Sequence, residues 1–202
     1  MFICKRCGLA NFEEYPTDRG NGMLSTEIKV ELLDERAKLP EYASLLSAGM
    51  DAFACLFYGD PGDGNNLFLA RDEIVIPPGE TALVCLGFRV ELQEGWFLDV
   101  RPRSGISLNT PLRIANAPGT IDTDYKGVVH AIVYNSSQPE LVLSDEIYHC
   151  GDKHNKHGSY VIRTGDKICQ LVPQKHYKAA IVEGKVNQNE RNRGGGMGSS
   201  GI

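Results

Sequence analysis

The run Val100-Arg101-Pro102-Arg103-Ser104-Gly105 brings a guanidinium, a hydroxyl and a glycine together where an apolar stretch gives way to a turn. Arginine's planar fork suits phosphate oxygens, and glycine lets backbone N–H groups approach an anion closely. Downstream, Asn116-Ala117-Pro118-Gly119-Thr120-Ile121-Asp122-Thr123-Asp124-Tyr125 reads as a hairpin. The N–H and C=O groups of such a hairpin can read the edge of a planar base, and a tight one excludes a base carrying an extra methyl. Its Asp-x-Asp pair is, on residue type alone, a solvated turn as readily as a site. Two further blocks are Ala48-Gly49-Met50-Asp51 and Gly165-Asp166-Lys167-Ile168-Cys169-Gln170-Leu171. Asp51 is a candidate for the waters of a Mg²⁺ ion, and Gln170 for phosphates or a metal-bound water. The structural alternatives are a turn-capping Asp and a Gln ending a strand pair, and Asp166 reads as a turn residue. The glycine-rich end, from Glu190 to Gly201, can wrap a phosphate chain with backbone donors while an arginine neutralises its terminus.

Short β-type runs between Gly and Pro punctuation must position these groups. They fall at 27–33, 73–76, 81–90, 96–101, 128–134, 160–162, 167–172 and 179–182, a pattern that predicts an antiparallel barrel or sandwich. A single short helix is expected over 40–46. Residues 1–24 form an N-terminal extension, 25–186 one β domain, and 187–202 a stretch too rich in Gly, Asn and Arg to bury a core. Two long connections interrupt the domain, a turn cluster at 58–72 and an inserted loop at about 136–159. The 202 residues are 42% apolar, as expected of a soluble domain, and the net charge of −5 argues against broad binding to nucleic acid. With no apolar run near 18 residues and no apolar leader, an intracellular, membrane-free location is expected.

In this order the five blocks resemble the five motifs of the trimeric dUTP pyrophosphatases, from about Lys29 to the C-terminus. The resemblance implies an all-β, jelly-roll-like antiparallel barrel that assembles as a homotrimer with shared sites. It also implies Mg²⁺-assisted hydrolysis of dUTP to dUMP and pyrophosphate, which limits uracil in DNA. On that match Asp122 is the base that activates water, and Arg103, Ser104 and Gly105 hold the triphosphate. Asn116, Gly119 and Ile121 belong to the uracil hairpin, Tyr125 packs under the deoxyribose, and Gln170 reaches in from a neighbouring subunit. In the tail, Arg191 or Arg193 meets the terminal phosphate beside Gly198 and Ser199. Met197 stands where the family has Phe, and Asn192 where it has Arg. The alternatives are a dCTP deaminase of the same fold, which needs a Glu as acid/base, and a dUTP-responsive regulatory protein using the extension and the insertion as contact surfaces.

Cysteine placement adds a possibility outside that pattern. Cys55, Cys85 and Cys169 lie in apolar runs and read as core. Cys4-Lys5-Arg6-Cys7-Gly8 has the form of a zinc knuckle, and the insertion offers His149, Cys150, His154 and His157 in polar surroundings. Cys4, Cys7, Cys150 and either His154 or His157 would make a structural zinc site, unless the two segments never meet.

Overall fold

Alternation of inward apolar and outward polar side chains writes the strands directly, as in His130–Asn135, where every second residue is buried. The computed structural model describes residues 26–56 and 72–187. In chain order the strands are β1 Ile28–Leu32, β2 Glu41–Tyr42, β3 Met50–Phe53, β4 Glu73–Ile76, β5 Thr81–Cys85, β6 Phe88–Leu92, β7 Trp96–Pro102, β8 Leu112–Ile114, β9 Gly119–Ile121, β10 His130–Asn135, β11 Ile147–His149, β12 Ser159–Arg163 and β13 Lys167–Lys175. One helix, α1, covers Ser104–Asn109. The strands make a jelly-roll-like array of sheets ordered β1-β6, β5-β10-β8, β11-β12-β4 and β2-β3-β13-β7-β9. Every pairing is antiparallel except β11 with β12. Between the sheets lies one core that includes Leu86, Phe88, Leu98, Leu112, Tyr160, Ile162 and Leu171.

Four expectations are corrected. The run 81–90 is two strands, because Gly87 takes φ +78° and its α-carbon sits against Cys55, where a Cβ would come within 2.6 Å of the Cys55 Cβ. Residues 40–46 form no helix: Glu41 and Tyr42 pair with β3, and Ser44 and Ser47 hydrogen-bond to each other and across their own turn. Such local serine bonds compete with helix formation. The helix lies instead in the Arg-Ser-Gly block, where the Thr110 hydroxyl donates to the Ile106 carbonyl and the Asn109 amide to the Gly105 carbonyl. Residues 179–182 belong to no strand among the described residues and are exposed.

The insertion is ordered by its own residues. Tyr148 is buried against Tyr160, with ring centroids 5.6 Å apart, and β11 extends the β12-β4 sheet. Its base is sealed by Asn135, whose side-chain amide donates to the carbonyls of Ile76 and Gly158, and by Ser137, which bonds both polar backbone groups of Gly158. Cys150 therefore lies at the edge of the core at 4% exposure, with its Sγ turned to the Asp166 carboxylate. The N-terminal extension, the 58–71 part of the turn cluster and residues 188–202 lie outside the described residues.

Candidate active site

Strand register explains why three distant blocks meet. In β13, Gln170 pairs with Asp51 of β3 on one side and with Arg101 of β7 on the other. Arg103 leaves the end of β7 and Lys167 begins β13, so both reach the same carboxylate. Asp51, 3% exposed, accepts from Arg103 Nε at 3.0 Å and Lys167 Nζ at 2.9 Å, and more weakly from Arg103 Nη2 at 3.4 Å and Gln170 Nε2 at 3.3 Å. Burial alone would push this carboxyl up, but the bonds from Lys167, Arg103 and Gln170 prevail and hold it below its ordinary value of 3.8. Lys167 Nζ also donates to Glu41 at 3.0 Å, and its ammonium is correspondingly pushed up, chiefly by Asp51.

Four donors fill the four acceptor positions of the Asp51 carboxylate. Nothing remains with which to ligate a Mg²⁺ ion or to accept from its waters, so the expected metal role of Asp51 does not fit. Asp51 instead orients cations. Arg103 uses its Nη1 on the Lys167 carbonyl and keeps other N–H groups uncommitted among the described residues, as does Lys167. Such free donors are what an anion requires. Lys167 and Glu41 were not singled out from sequence, although the Lys lies in the quoted Gly165-Asp166-Lys167 block.

The hairpin is built differently. β9 pairs with β7, Gly119 opposite Val100 and Ile121 opposite Leu98, and its entry bends at a cis Ala117-Pro118 peptide. Gly119 leaves room for its neighbours: a Cβ there would lie 2.9 Å from Asn116 Nδ2 and 3.3 Å from Val100 Cβ. Asn116 thus folds over the strand, while Ile121 is buried beneath. Tyr125, 43% exposed, is tied down by its hydroxyl, which donates to the Val128 carbonyl at 2.8 Å. Asp122 is exposed, and among the described residues no hydrogen bond or ion pair reaches its carboxylate.

The structure brings Asp51, Arg103 and Gln170 together, with Ser104 and Gly105 exposed on the first turn of α1. It does not bring Asp122 to them. With Ile121 opposite Leu98, Asp122 lies level with Phe97, six residues of β7 before Arg103, a separation of roughly 20 Å along an extended strand. Arg191, Arg193, Met197, Gly198 and Ser199 lie outside the described residues, as do Cys4 and Cys7. His154 and His157 do not meet Cys150. His154 faces Asp152 at 3.7 Å and packs edge-on against Tyr148, and His157 Nδ1 accepts from the Gln138 N–H. The imidazole grouped with Cys150 among the described residues is that of His149, with Asp166 as the third member, and not that of His154 or His157.

A β scaffold that presents an anchored cationic cluster and a separate hairpin suits an enzyme acting on a phosphorylated ligand. Comparison with known proteins sharpens this class. The dUTPase family model matches residues 61–146. The deoxyuridine 5'-triphosphate nucleotidohydrolase of Hydrogenobaculum sp. is 33% identical over 176 residues, covering 87% of this chain and 99% of that protein. The Clostridium tetani protein of the same name is 32% identical, covering 89% and 99%. Among solved structures, the dUTPase of Staphylococcus bacteriophage 80alpha with dUpNHpp superposes with a TM-score of 0.71 at 26% identity, over 87% of this chain and 99% of that one. The phage phi11 dUTPase, with its species-specific insert, gives 0.64 at 25% identity over 81% and 99%. The chain belongs to the dUTPase family. It is a dUTP diphosphatase that hydrolyses dUTP to dUMP. Among the described residues no helix is long and apolar enough to cross a membrane.

Proposed function

We propose that catalysis takes place at sites composed between subunits of a homotrimer, each combining the hairpin of one chain with the cationic cluster of another. The observation that carries this reading is the separation within one chain: a free Asp122 beyond β9 and an anchored Arg103 beyond β7, about 20 Å apart along the line of β7, cannot both serve one α-phosphate and its neighbours. The exposed arm supports it. Tyr177, Ile181, Val182 and Val186 are 78–93% exposed beyond β13, an apolar load that suits the surface of another copy.

At such a site Asp122 takes a proton from water, and the oxygen attacks the α-phosphorus of dUTP. The bond to the bridging oxygen breaks, giving dUMP and pyrophosphate. Arg103 and Lys167, held by Asp51, offer uncommitted N–H groups to the phosphate chain, with Ser104 and Gly105 beside them. Asn116, Gly119 and Ile121 shape the uracil slot, Tyr125 underlies the sugar, and Gln170 supports the cluster. Arg191, Arg193, Met197, Gly198 and Ser199 supply a cover for the phosphates. The phage phi11 relative is described with a structural Mg(II) ion. Here the filled Asp51 carboxylate leaves Mg²⁺ to arrive on the triphosphate as part of the substrate, as its preference for phosphate and water ligands allows.

The test is complementation. Asp122→Asn and Arg103→Ala proteins, each inactive alone, are mixed by refolding together. Shared sites predict that dUTPase activity returns in the mixed oligomers, because some sites then combine an intact Asp122 with an intact Arg103. Activity that stays absent, although mixed oligomers are shown to form, places both residues in one chain's site and overturns the reading.

A further inference from the structure

Asp166 is the second carboxylate hub of the molecule, and its donors differ in kind from those of Asp51. Its Oδ2 accepts from the Arg163 N–H at 2.7 Å, from His149 Nε2 at 2.9 Å and from Cys150 Sγ at 3.2 Å. One ligand atom from each of His149, Cys150 and Asp166 lies within 4.8 Å of the other two. The framework that brings them together is rigid. β11 pairs with β12, the Cys150 N–H donates to the Val161 carbonyl at 3.0 Å, and the Asp166 carbonyl accepts from the Ala54 N–H at 2.8 Å. Cys150 forms the buried floor, while the side chains of His149 and Asp166 are 31% and 20% exposed. Solvent therefore reaches the cluster at His149 and Asp166, not at Cys150.

We infer that His149, Cys150 and Asp166 form a site for a divalent metal of the zinc class, with water in the fourth position, stapling the insertion to the turn that precedes β13. A thiolate, an imidazole and a carboxylate are a donor set for Zn²⁺ or Co²⁺ and not for Mg²⁺, which takes oxygen ligands. Thiolate and carboxylate together balance the charge of the ion in a partly buried place. The Arg163 N–H already orients the carboxylate from behind, as outer-shell partners of metal ligands do. On binding, the Cys150 thiol releases one proton, and the His149 proton moves from Nε2 to Nδ1. That second move gives up the 3.2 Å contact in which Nδ1 accepts from the Gly151 N–H. Without metal, burial and the neighbouring Asp166 push the thiol well above its ordinary range, so Cys150 is no nucleophile. The site is independent of the catalytic reading.

The full-length protein is stripped with chelator and titrated with Co²⁺, following the near-ultraviolet thiolate-to-cobalt charge-transfer absorption and metal content per chain. The expected result is one Co²⁺ per chain with that band, displaced by Zn²⁺. Cys150→Ser should abolish the band, His149→Ala should weaken binding at least about tenfold, and the Cys4→Ser, Cys7→Ser double change should leave the band in place. Far-ultraviolet circular dichroism checks each fold, and His149→Ala, on the open side, keeps the test alive if Cys150→Ser fails to fold. Absence of Co²⁺ binding by the wild type would make the cluster a hydrogen-bonded clamp and overturn the site. A band that survives Cys150→Ser, or disappears with Cys4 and Cys7, would overturn it equally.

Discussion

Asp51 and Asp122 carry the same side chain on the same five-stranded sheet system, yet one is saturated and the other is bare. Asp51 is buried and receives four N–H donors from three residues, whereas Asp122 is exposed at the end of β9 with no partner among the described residues. A carboxylate committed to three donor side chains has no lone pair for water, and one left free at a hairpin tip organises nothing. The difference separates two jobs that residue type alone cannot separate: holding cations in place, as Asp51 does, and accepting a proton, the role proposed for Asp122. It also places the two jobs at opposite ends of β7.

The largest expected effect falls on the bare carboxylate. Asp122→Asn keeps shape and hydrogen-bonding capacity but cannot accept the proton, so kcat should fall on the order of 10³-fold. Binding of a non-hydrolysable dUTP analogue should stay within a few-fold and thermal stability should not change. Turnover near that of the wild type would show that Asp122 is not the base.

Asp51→Asn should act in the opposite manner. An amide would turn N–H donors toward Arg103 and Lys167 and leave both partly buried cations without their counter-charge. The expected loss is on the order of 3 kcal/mol in a urea titration, with KM rising more than kcat falls, because phosphate-binding groups lose their orientation. A stability unchanged within error would show that the cations hold themselves in place.

The same carboxylate sets an acid limb. Its folded-state value lies below the ordinary 3.8, so its contribution to stability is fully present above that pH. It is lost as pH falls through the folded value. Unfolding free energy measured from pH 5 downward should therefore drop more steeply in the wild type than in Asp51→Asn. Parallel curves would assign the acid limb to other carboxylates.

What was legible in the sequence follows the same division. Strand positions showed wherever apolar residues alternate, as in β10, and the five blocks fixed the family without reference to packing. Gly87 did not announce itself as a break, because its left-handed φ arises from contact with Cys55, 32 residues away. The donors around Asp51 did not show in the sequence because saturation of a carboxylate depends on register, with Gln170 opposite it and Arg103 and Lys167 at neighbouring strand ends. The seating of the insertion did not show because polar composition concealed two inward residues, Tyr148 and Cys150. His149, not His154 or His157, stands beside Cys150 because the pairing of β11 with β12 decides which imidazole faces Asp166.

Arg101 and Arg103 offer the smallest and sharpest test of the division between engaged and available groups. They stand two residues apart at the end of β7. Arg101 folds back onto Asp99 of its own strand, at 2.6 Å with its side chain 47% exposed. Arg103 crosses to Asp51 on β3, and its side chain is 27% exposed. The Arg101 pair is a surface pair screened by water, contributing about 0–1 kcal/mol, although Asp99 is itself buried at 6% exposure. Arg101→Ala should therefore leave kcat/KM within about threefold and lower stability by no more than about 1 kcal/mol, while Arg103→Ala removes a charge-assisted donor from the phosphate site and loses activity outright. The contrast is a stringent one: Arg101 pairs with Gln170 of β13 and Arg103 reaches the Lys167 carbonyl at the start of the same strand, yet their carboxylate partners differ. Equal losses of activity in the two variants would mean that position at the strand end, not the anchoring by Asp51, decides which arginine meets the substrate.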